Sequence, residues 1–171
     1  MLEFFLAIVG LILSALFSAA EISFLQANII QISVWKEQGN KIAGISEKLI
    51  KNPEKYITTI LLGLNLSNVL MSSFSTIILV KMGVSEIYIL FIISIIILIF
   101  GEILPKIFSH EYPNKFTIFF TRFFQISNFF LSPIVWLFRN YTKKITNNNN
   151  QNKSIYSRKE LEILFEEIEI G

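Results

Sequence analysis

The stretch EIYILFIISIIILIFGEILPK, residues 86–106, decides the fold of this chain. Its apolar run suits a bilayer core about 30 Å thick, which takes roughly 20 helical residues to cross. Glu102 follows fifteen apolar or hydroxyl side chains, and an acid at membrane depth is a functional-site hypothesis by default. Pro105 has no N–H, so in an α-helix the carbonyl of Gly101 loses its partner. A free carbonyl beside a carboxylate offers the hard oxygen ligands that Mg²⁺ or Ca²⁺ accepts.

The composition indicates an integral membrane protein. Of the 171 residues, 53% are hydrophobic and 17 are phenylalanine, which is more apolar than a typical soluble domain. The formal net charge is only +2, which gives no support to nucleic-acid binding. The chain has no cysteine and His110 is its only histidine, so thiolate chemistry and a multi-histidine zinc site are excluded. No catalytic pairing of Ser with His or of two Asp occurs at membrane depth, and we predict that the chain is not an enzyme.

Three segments are predicted to span the membrane, namely residues 4–28, 56–80 and 87–108. The loop between the first two is rich in lysine: Lys36, Lys41, Lys48, Lys51 and Lys55. The loop between the second and third carries only Lys81. The positive-inside rule therefore places the first loop in the cytoplasm and the N-terminus outside. The first segment is predicted to be a retained helix, because its apolar run is too long for a signal peptide.

The lysine-rich loop is predicted to contain a pair of short amphipathic helices on the cytoplasmic side. Its apolar residues recur at helical spacing: Ile32, Trp35, Ile42, Ile45 and Leu49. The pair Gly39-Asn40 predicts a break between the two helices. The pair Asn52-Pro53 is expected to close the second helix and to let the next membrane helix begin.

Residues 116–138 form a fourth apolar region, which we predict to be a juxtamembrane belt helix lying in the membrane interface. Its polar residues recur at steps of four and three as one stripe: Thr117, Thr121, Gln125, Asn128 and Ser132. If this helix crossed the membrane, the basic tail would end outside, against the positive-inside rule. If it lies on the surface, Arg139, Lys143 and Lys144 stay in the cytoplasm near anionic lipid head groups.

The predicted domain organisation has three parts. Residues 1–138 form the membrane domain, and residues 139–156, with the run TNNNNQNKS, form a polar linker that cannot bury a core. Residues 157–171 predict an acidic amphipathic helix, since Ser157 and Glu160 make a capping-box pattern. The apolar stripe of that helix has no partner in the sequence, so we expect the chain to be part of a longer protein.

Polar residues recur on one face of each predicted span. They are Ser14, Ser18 and Glu21 in the first, Asn65, Asn68 and Ser72 in the second, and Gly101 and Glu102 in the third. Three such faces turned toward one another would line a polar cavity. Neutral oxygen ligands with little negative charge suit the passage of a hard cation better than its storage, because a transported ion must also leave.

Simpler interpretations stay open for several of these residues. Serines in membrane helices commonly bond one helix to another, and this role is favoured for Ser14, Ser67, Ser72 and Ser73. For Asn65 and Asn68, helix–helix bonding and cation binding are equally compatible with the periodicity. Glu21 could be solvated at the end of the first span. Lys106 could pair with Glu102 at i,i+4 spacing and satisfy that acid without any cation.

Three motifs resemble the CNNM/CorC family of magnesium transporters in order and spacing, over about residues 13–132. ALFSAAEISFLQ resembles the FSGAE-type motif of the first span, with Ala19 in place of the usual glycine. GNKIAGISEKLIKNPEKYITTILLGLNLSNVL resembles the segment that enters the second span, although Leu64 stands where asparagine is frequent. GEILPKIFSHEYPNKF resembles the family's GEI-[LI]-PK signature. SRKELEILFEE resembles the helix that leads toward paired CBS domains.

The resemblance implies an all-α membrane protein, a homodimer whose subunits each have three transmembrane helices and an interfacial belt helix. It implies a Mg²⁺ ion in an inward-open cavity, Na⁺-linked Mg²⁺ export across the cell membrane, and cytoplasmic CBS domains in the full-length protein. The ion-site candidates that it carries over are Ser18, Asn65, Asn68, Gly101 and Glu102. The predicted function is divalent-cation transport in contact with membrane lipids. The alternative is a non-transporting membrane anchor or Mg²⁺ sensor that acts through the cytoplasmic tail.

Overall fold

The computed structural model describes residues 1–51, 53–129 and 131, and every regular element in them is helical. The helices are α1 (Leu2–Gln26), α2 (Ile29–Glu37), α3 (Lys41–Lys51), α4 (Pro53–Lys81), α5 (Glu86–Ile96) and α6 (Leu104–Glu111). A π-helical segment, Ile97–Ile103, joins α5 to α6, and helix α7 covers residues 113–129. The predicted end of the belt helix, the linker at 139–156 and the acidic helix at 157–171 lie outside the described residues.

Three helices are long and apolar enough to cross a membrane, which confirms the predicted all-α membrane fold: Leu2–Gln26, Tyr56–Lys81 and Glu86–Glu111. Helix α1 packs along α4 and also contacts the π-helical segment and α6. Met71, Ile89 and Ile93 form an apolar core between α4 and α5. Many large apolar side chains stay exposed on the outside of the bundle, as expected of surfaces that face lipid.

The predicted pair of short helices is present, and two asparagines set where they begin. The side chain of Asn28 accepts backbone N–H bonds of 3.0 and 3.2 Å at the start of α2. Asn40 does the same for α3, at 3.0 and 3.2 Å. Gly39 between them has φ +91°, a left-handed conformation that glycine adopts without strain. The break therefore falls where the Gly-Asn pair predicted it.

Helix α7 begins at Pro113, three residues before the predicted start, because the fixed φ of proline suits the first helical position. Part of the polar stripe predicted for this helix is buried. Thr117 and Thr121 are fully buried. Thr117 Oγ1 donates to the carbonyl of Ser23 at 2.9 Å, and the hydroxyls of Thr121 and Ser46 lie 2.6 Å apart. Two of the five stripe residues therefore hold α7 against α1 and α3.

Glu47 is the buried charge of the short helices, with a side chain only 8% exposed. Its carboxylate accepts hydrogen bonds from Lys36 at 2.7 Å and from Lys51 at 2.6 Å. Ser33 donates a third, at 3.3 Å. The hydrogen bond from Lys36, and next that from Lys51, lower the pKa of Glu47 to about 2. This ion-pair cluster fastens α2 to α3.

The depressed pKa of Glu47 predicts a pH-dependent stability. Because the pKa in the folded state lies below the ordinary 4.5, the stabilisation is complete above that pH and is lost as the pH falls towards about 2. In detergent, Glu47→Gln should therefore unfold at a lower temperature than the wild type at neutral pH. The two unfolding temperatures should converge as the pH falls through that range. Glu37→Gln, at an exposed carboxylate on α2, is the control and should follow the wild-type profile. A constant gap between Glu47→Gln and wild type would contradict this role.

Candidate cation site

Polar groups from all three spans meet in one cluster within the bundle. Ser14 and Ser18 of α1 are fully buried. The hydroxyl of Ser14 donates to Oδ1 of Asn68 on α4 at 2.5 Å. The amide Nδ2 of Asn68 in turn donates to Oε1 of Glu102 at 3.3 Å. A continuous hydrogen-bonded chain therefore joins the first, second and third spans through three side chains.

The backbone of the third span widens where it meets this cluster. The segment Ile97–Ile103 is π-helical, and the N–H of Leu104 bonds to the carbonyl of Ile99, five residues earlier. The sequence predicted only that Pro105 would leave one α-helical carbonyl without a partner. The structure shows in addition a seven-residue π-helical segment, which has more residues per turn and a larger diameter than an α-helix. Insertions of this kind are frequent at functional sites, because they turn backbone groups out of the regular hydrogen-bond pattern.

Two carbonyls of the widened segment accept bonds from the serines of α1. Ser18 Oγ donates to the carbonyl of Glu102 at 3.1 Å, and Ser14 Oγ lies 3.5 Å from the carbonyl of Gly101. A Cβ placed on Gly101 would lie 2.8 Å from Ser14 Oγ, closer than real contacts allow. Glycine at this position therefore lets α1 approach the third span closely enough for the serine to reach backbone oxygen.

Glu102 brings the negative charge of the cluster. Its side chain is half-buried, and the Asn68 amide is its hydrogen-bond partner. Lys106 does not pair with Glu102 at i,i+4 spacing. Its ammonium lies 3.1 Å from Oε2 of Glu21 on α1. Among the side chains that the structure describes, no basic group lies within ion-pair distance of Glu102. Within that part of the chain, the negative charge of Glu102 is not neutralised by an ion pair.

Of the five residues carried over from the family motifs, the structure brings four together: Ser18, Asn68, Gly101 and Glu102. It leaves Asn65 out of the cluster. Asn65 is exposed and its Nδ2 donates to the carbonyl of Leu61 in its own helix, at 2.8 Å. The reason lies in the face that α4 buries against the bundle, which is centred on Leu64, Ser67 and Met71. Asn68 flanks that face, whereas Asn65 is turned further away by helical geometry.

Ser14 is the residue that the sequence assigned to packing and that the structure places at the centre of the cluster. It is fully buried and touches both the Asn68 side chain and the Gly101 carbonyl. A signal for it was present in the sequence. Ser14 lies one helical turn before Ser18, so the two hydroxyls share one face of α1.

The chemistry of the cluster suits a hard cation held briefly. Hydroxyl, amide and backbone carbonyl oxygens with one carboxylate are the ligands that Mg²⁺ and Ca²⁺ accept. The part of the chain that the structure describes contains no group of three acidic or histidine side chains that could hold a metal tightly. One formal charge with several dipoles is the composition expected of a site that must release its ion as well as bind it.

Comparison with known proteins agrees with this architecture. Residues 5–169 match the family model of the Cyclin M transmembrane N-terminal domain, CNNM. A UPF0053 protein of Haemophilus influenzae is 31% identical over 144 residues, which are 83% of this chain and 34% of that protein. The UPF0053 inner membrane protein YfjD of Escherichia coli is 30% identical over 135 residues, 78% of this chain and 32% of that protein. The chain thus spans about a third of the length of these curated relatives. With a family match over nearly its whole length and three apolar helices, this chain is a membrane-embedded member of the CNNM family.

Proposed function

We propose that this domain binds Mg²⁺ at the cluster formed by Ser14, Ser18, Asn68, Gly101 and Glu102, and carries it across the membrane. The observation that supports this most is the Glu102 carboxylate, which accepts a hydrogen bond from Asn68 in a cluster that joins all three spans and has no basic partner among the described side chains. A carboxylate at membrane depth is costly unless something positive meets it. Hydroxyl, amide and carbonyl groups around it are suited to replace part of the hydration shell of a metal cation.

In this mechanism Mg²⁺ enters from the cytoplasm, where the lysine-rich loop is expected to lie. Mg²⁺ gives up hydration reluctantly and keeps several waters, so the cluster exchanges only some of them. Ser14 and Asn68 give up their mutual hydrogen bond, Ser18 releases the carbonyl of Glu102, and these oxygens turn toward the cation while the Glu102 carboxylate offsets part of its charge. Release on the outer side is coupled to Na⁺, within a homodimer. The choice of Mg²⁺ and Na⁺ rests on the resemblance to the CNNM/CorC magnesium transporters.

Reconstitution into lipid vesicles tests transport directly. The 171-residue chain, inserted in vesicles loaded with a Mg²⁺-sensitive dye, should move Mg²⁺ down its gradient, and an opposing Na⁺ gradient should accelerate the flux. Empty vesicles and vesicles that carry Glu102→Gln are the controls. Binding of Mg²⁺ without flux would favour the alternative of a sensor or anchor. Absence of both binding and flux would overturn the proposal.

The two asparagines of α4 give a matched pair of variants. Asn68→Ala removes an amide that bonds to both Ser14 and Glu102, and we expect Mg²⁺ affinity to fall about tenfold, or about 1.4 kcal/mol. Asn65→Ala removes an amide on the exposed side of the same helix and should bind like the wild type. Isothermal titration of Mg²⁺ against the three proteins measures the difference. Equal losses for both variants would contradict the assignment of the site to one face of α4.

A further inference from the structure

The third span carries a lysine that could reach either of two carboxylates. Lys106 follows Glu102 by four residues, and glutamate four residues before lysine is the favoured order for an ion pair along a helix. In the structure, Lys106 pairs instead with Glu21. The Lys106 ammonium lies 3.1 Å from Oε2 of Glu21 on α1, while Glu102 keeps its hydrogen bond with Asn68.

The surroundings of Glu21 explain why it attracts this lysine. Its side chain is 21% exposed, and that of Lys106 is 34% exposed, so both charges are partly shielded from water. Oε2 of Glu21 is buried and has no well-aligned hydrogen bond in the described part of the chain. Glu21 also lines a cavity of about 60 Å³ whose other walls, among them Phe24 and Ile60, are mostly apolar. In such surroundings a carboxylate depends on an opposite charge for its stabilisation.

We propose that Glu21 is a positioning residue that holds the Lys106 ammonium away from Glu102 and so keeps Glu102 free to bind a divalent cation. This inference rests on the proposed function. It adds a residue that controls Mg²⁺ affinity without contacting the ion. Without Glu21, the Lys106 ammonium pairs with the Glu102 carboxylate and competes with the divalent cation for it. It neutralises the charge of Glu102 and repels any cation that approaches the same oxygens.

The test is a rescue experiment on Mg²⁺ affinity. Glu21→Gln should bind Mg²⁺ at least about tenfold more weakly than the wild type, within the usual range of coupling between sites. The double variant Glu21→Gln with Lys106→Gln should return the affinity to within about threefold of wild type, since the competitor is then absent. Glu3→Gln is the matched control. It breaks the 2.6 Å ion pair with Lys81 near the other end of α1 and should leave Mg²⁺ binding unchanged.

Two outcomes overturn the proposal. If Glu21→Gln binds Mg²⁺ like the wild type, Glu21 does not protect the site. If Glu21→Gln weakens binding and removal of Lys106 fails to restore it, Glu21 acts on the cation by its own charge or on the fold, and not through the lysine. If Glu21 only stabilised the fold, the double variant would bind Mg²⁺ at least as weakly as Glu21→Gln.

A second readout does not depend on cation transport or binding. In buffer with a chelator, the changes in unfolding temperature caused by Glu102→Gln and Lys106→Gln should add in the wild-type background, because the two side chains do not pair there. In the Glu21→Gln background the same two substitutions should be non-additive, because a new pair has formed. Additivity in both backgrounds would refute the movement of Lys106. Failure of Mg²⁺ binding by the wild type itself would instead refute the proposed function.

Discussion

Replacement of Glu102 by glutamine is expected to weaken Mg²⁺ binding by about 100-fold or more, which corresponds to about 2.8 kcal/mol, and to stop Mg²⁺ flux. Glutamine keeps the size of the side chain and can still accept the hydrogen bond from Asn68. It removes the negative charge of the cluster, and neutral oxygens alone poorly offset the lost hydration of a divalent cation. Titration calorimetry and vesicle flux measure the two effects.

Glu86→Gln is the control for this prediction. It makes the same chemical change at an exposed position in the first turn of the same membrane span, so binding and flux should stay at wild-type levels. The unfolding temperature of Glu102→Gln in detergent should show that the domain still folds. Wild-type Mg²⁺ affinity in a folded Glu102→Gln protein would remove the carboxylate from the site and the proposed mechanism with it.

Substitution of Gly10 by alanine is expected to cause a large loss of stability. The new Cβ would lie 2.7 Å from the backbone N of Met71 and 2.9 Å from its Cα. Because both contacts are with backbone, no side-chain rotation relieves them, and α1 and α4 must separate. Overpacking of this kind costs up to about 3 kcal/mol, and close helix approach at small residues is a main source of association in membranes.

The same substitution at Gly44 should have the opposite sign. A Cβ there would meet only the side chain of Lys36, at 3.5 Å, an ordinary contact. Gly44 lies inside α3, where alanine is favoured over glycine by about 0.5–1 kcal/mol. The unfolding temperature in mild detergent should therefore be higher for Gly44→Ala than for the wild type, and lower for Gly10→Ala. Unchanged stability of Gly10→Ala would contradict the close approach of α1 and α4 at Gly10, and a fall in stability for Gly44→Ala would contradict the open space at Gly44.

Much of the fold follows from local patterns in the sequence. The length of the apolar runs predicts three spans, and Gly39-Asn40 and Asn52-Pro53 predict where the short helices begin and end. The polar face of the first span is predicted by Ser14 and Ser18 at i and i+4. That of the third span is predicted by Glu102, which follows a long apolar run. These features depend on neighbours within a few residues, which is the information that a single sequence carries most directly.

The details of the site depend on how closely helices approach, which local patterns do not contain. Whether Asn65 or Asn68 joins the cluster is decided by the face that α4 presents to α1. The choice of Lys106 between two carboxylates depends on the position of Glu21 on another helix. The π-helical segment changes the number of residues per turn, which hydrophobic periodicity does not reveal because residues 95–101 carry no polar side chain. The inward position of Thr117 likewise depends on the packing of α7 against α1, where its hydroxyl bonds to the carbonyl of Ser23.

The bonds of Asn68 also bear on how the domain is built during synthesis. Helix α4 is the least apolar of the three spans, and a lone amide in lipid disfavours its insertion. Ser14 emerges from the ribosome before Asn68 and can accompany it into the bilayer, whereas Glu102 follows later. The Asn68 amide is therefore expected to bond first to Ser14 and later to Glu102. The residues proposed to bind an ion thus also favour the pairing of α1 with α4 before the third span joins them.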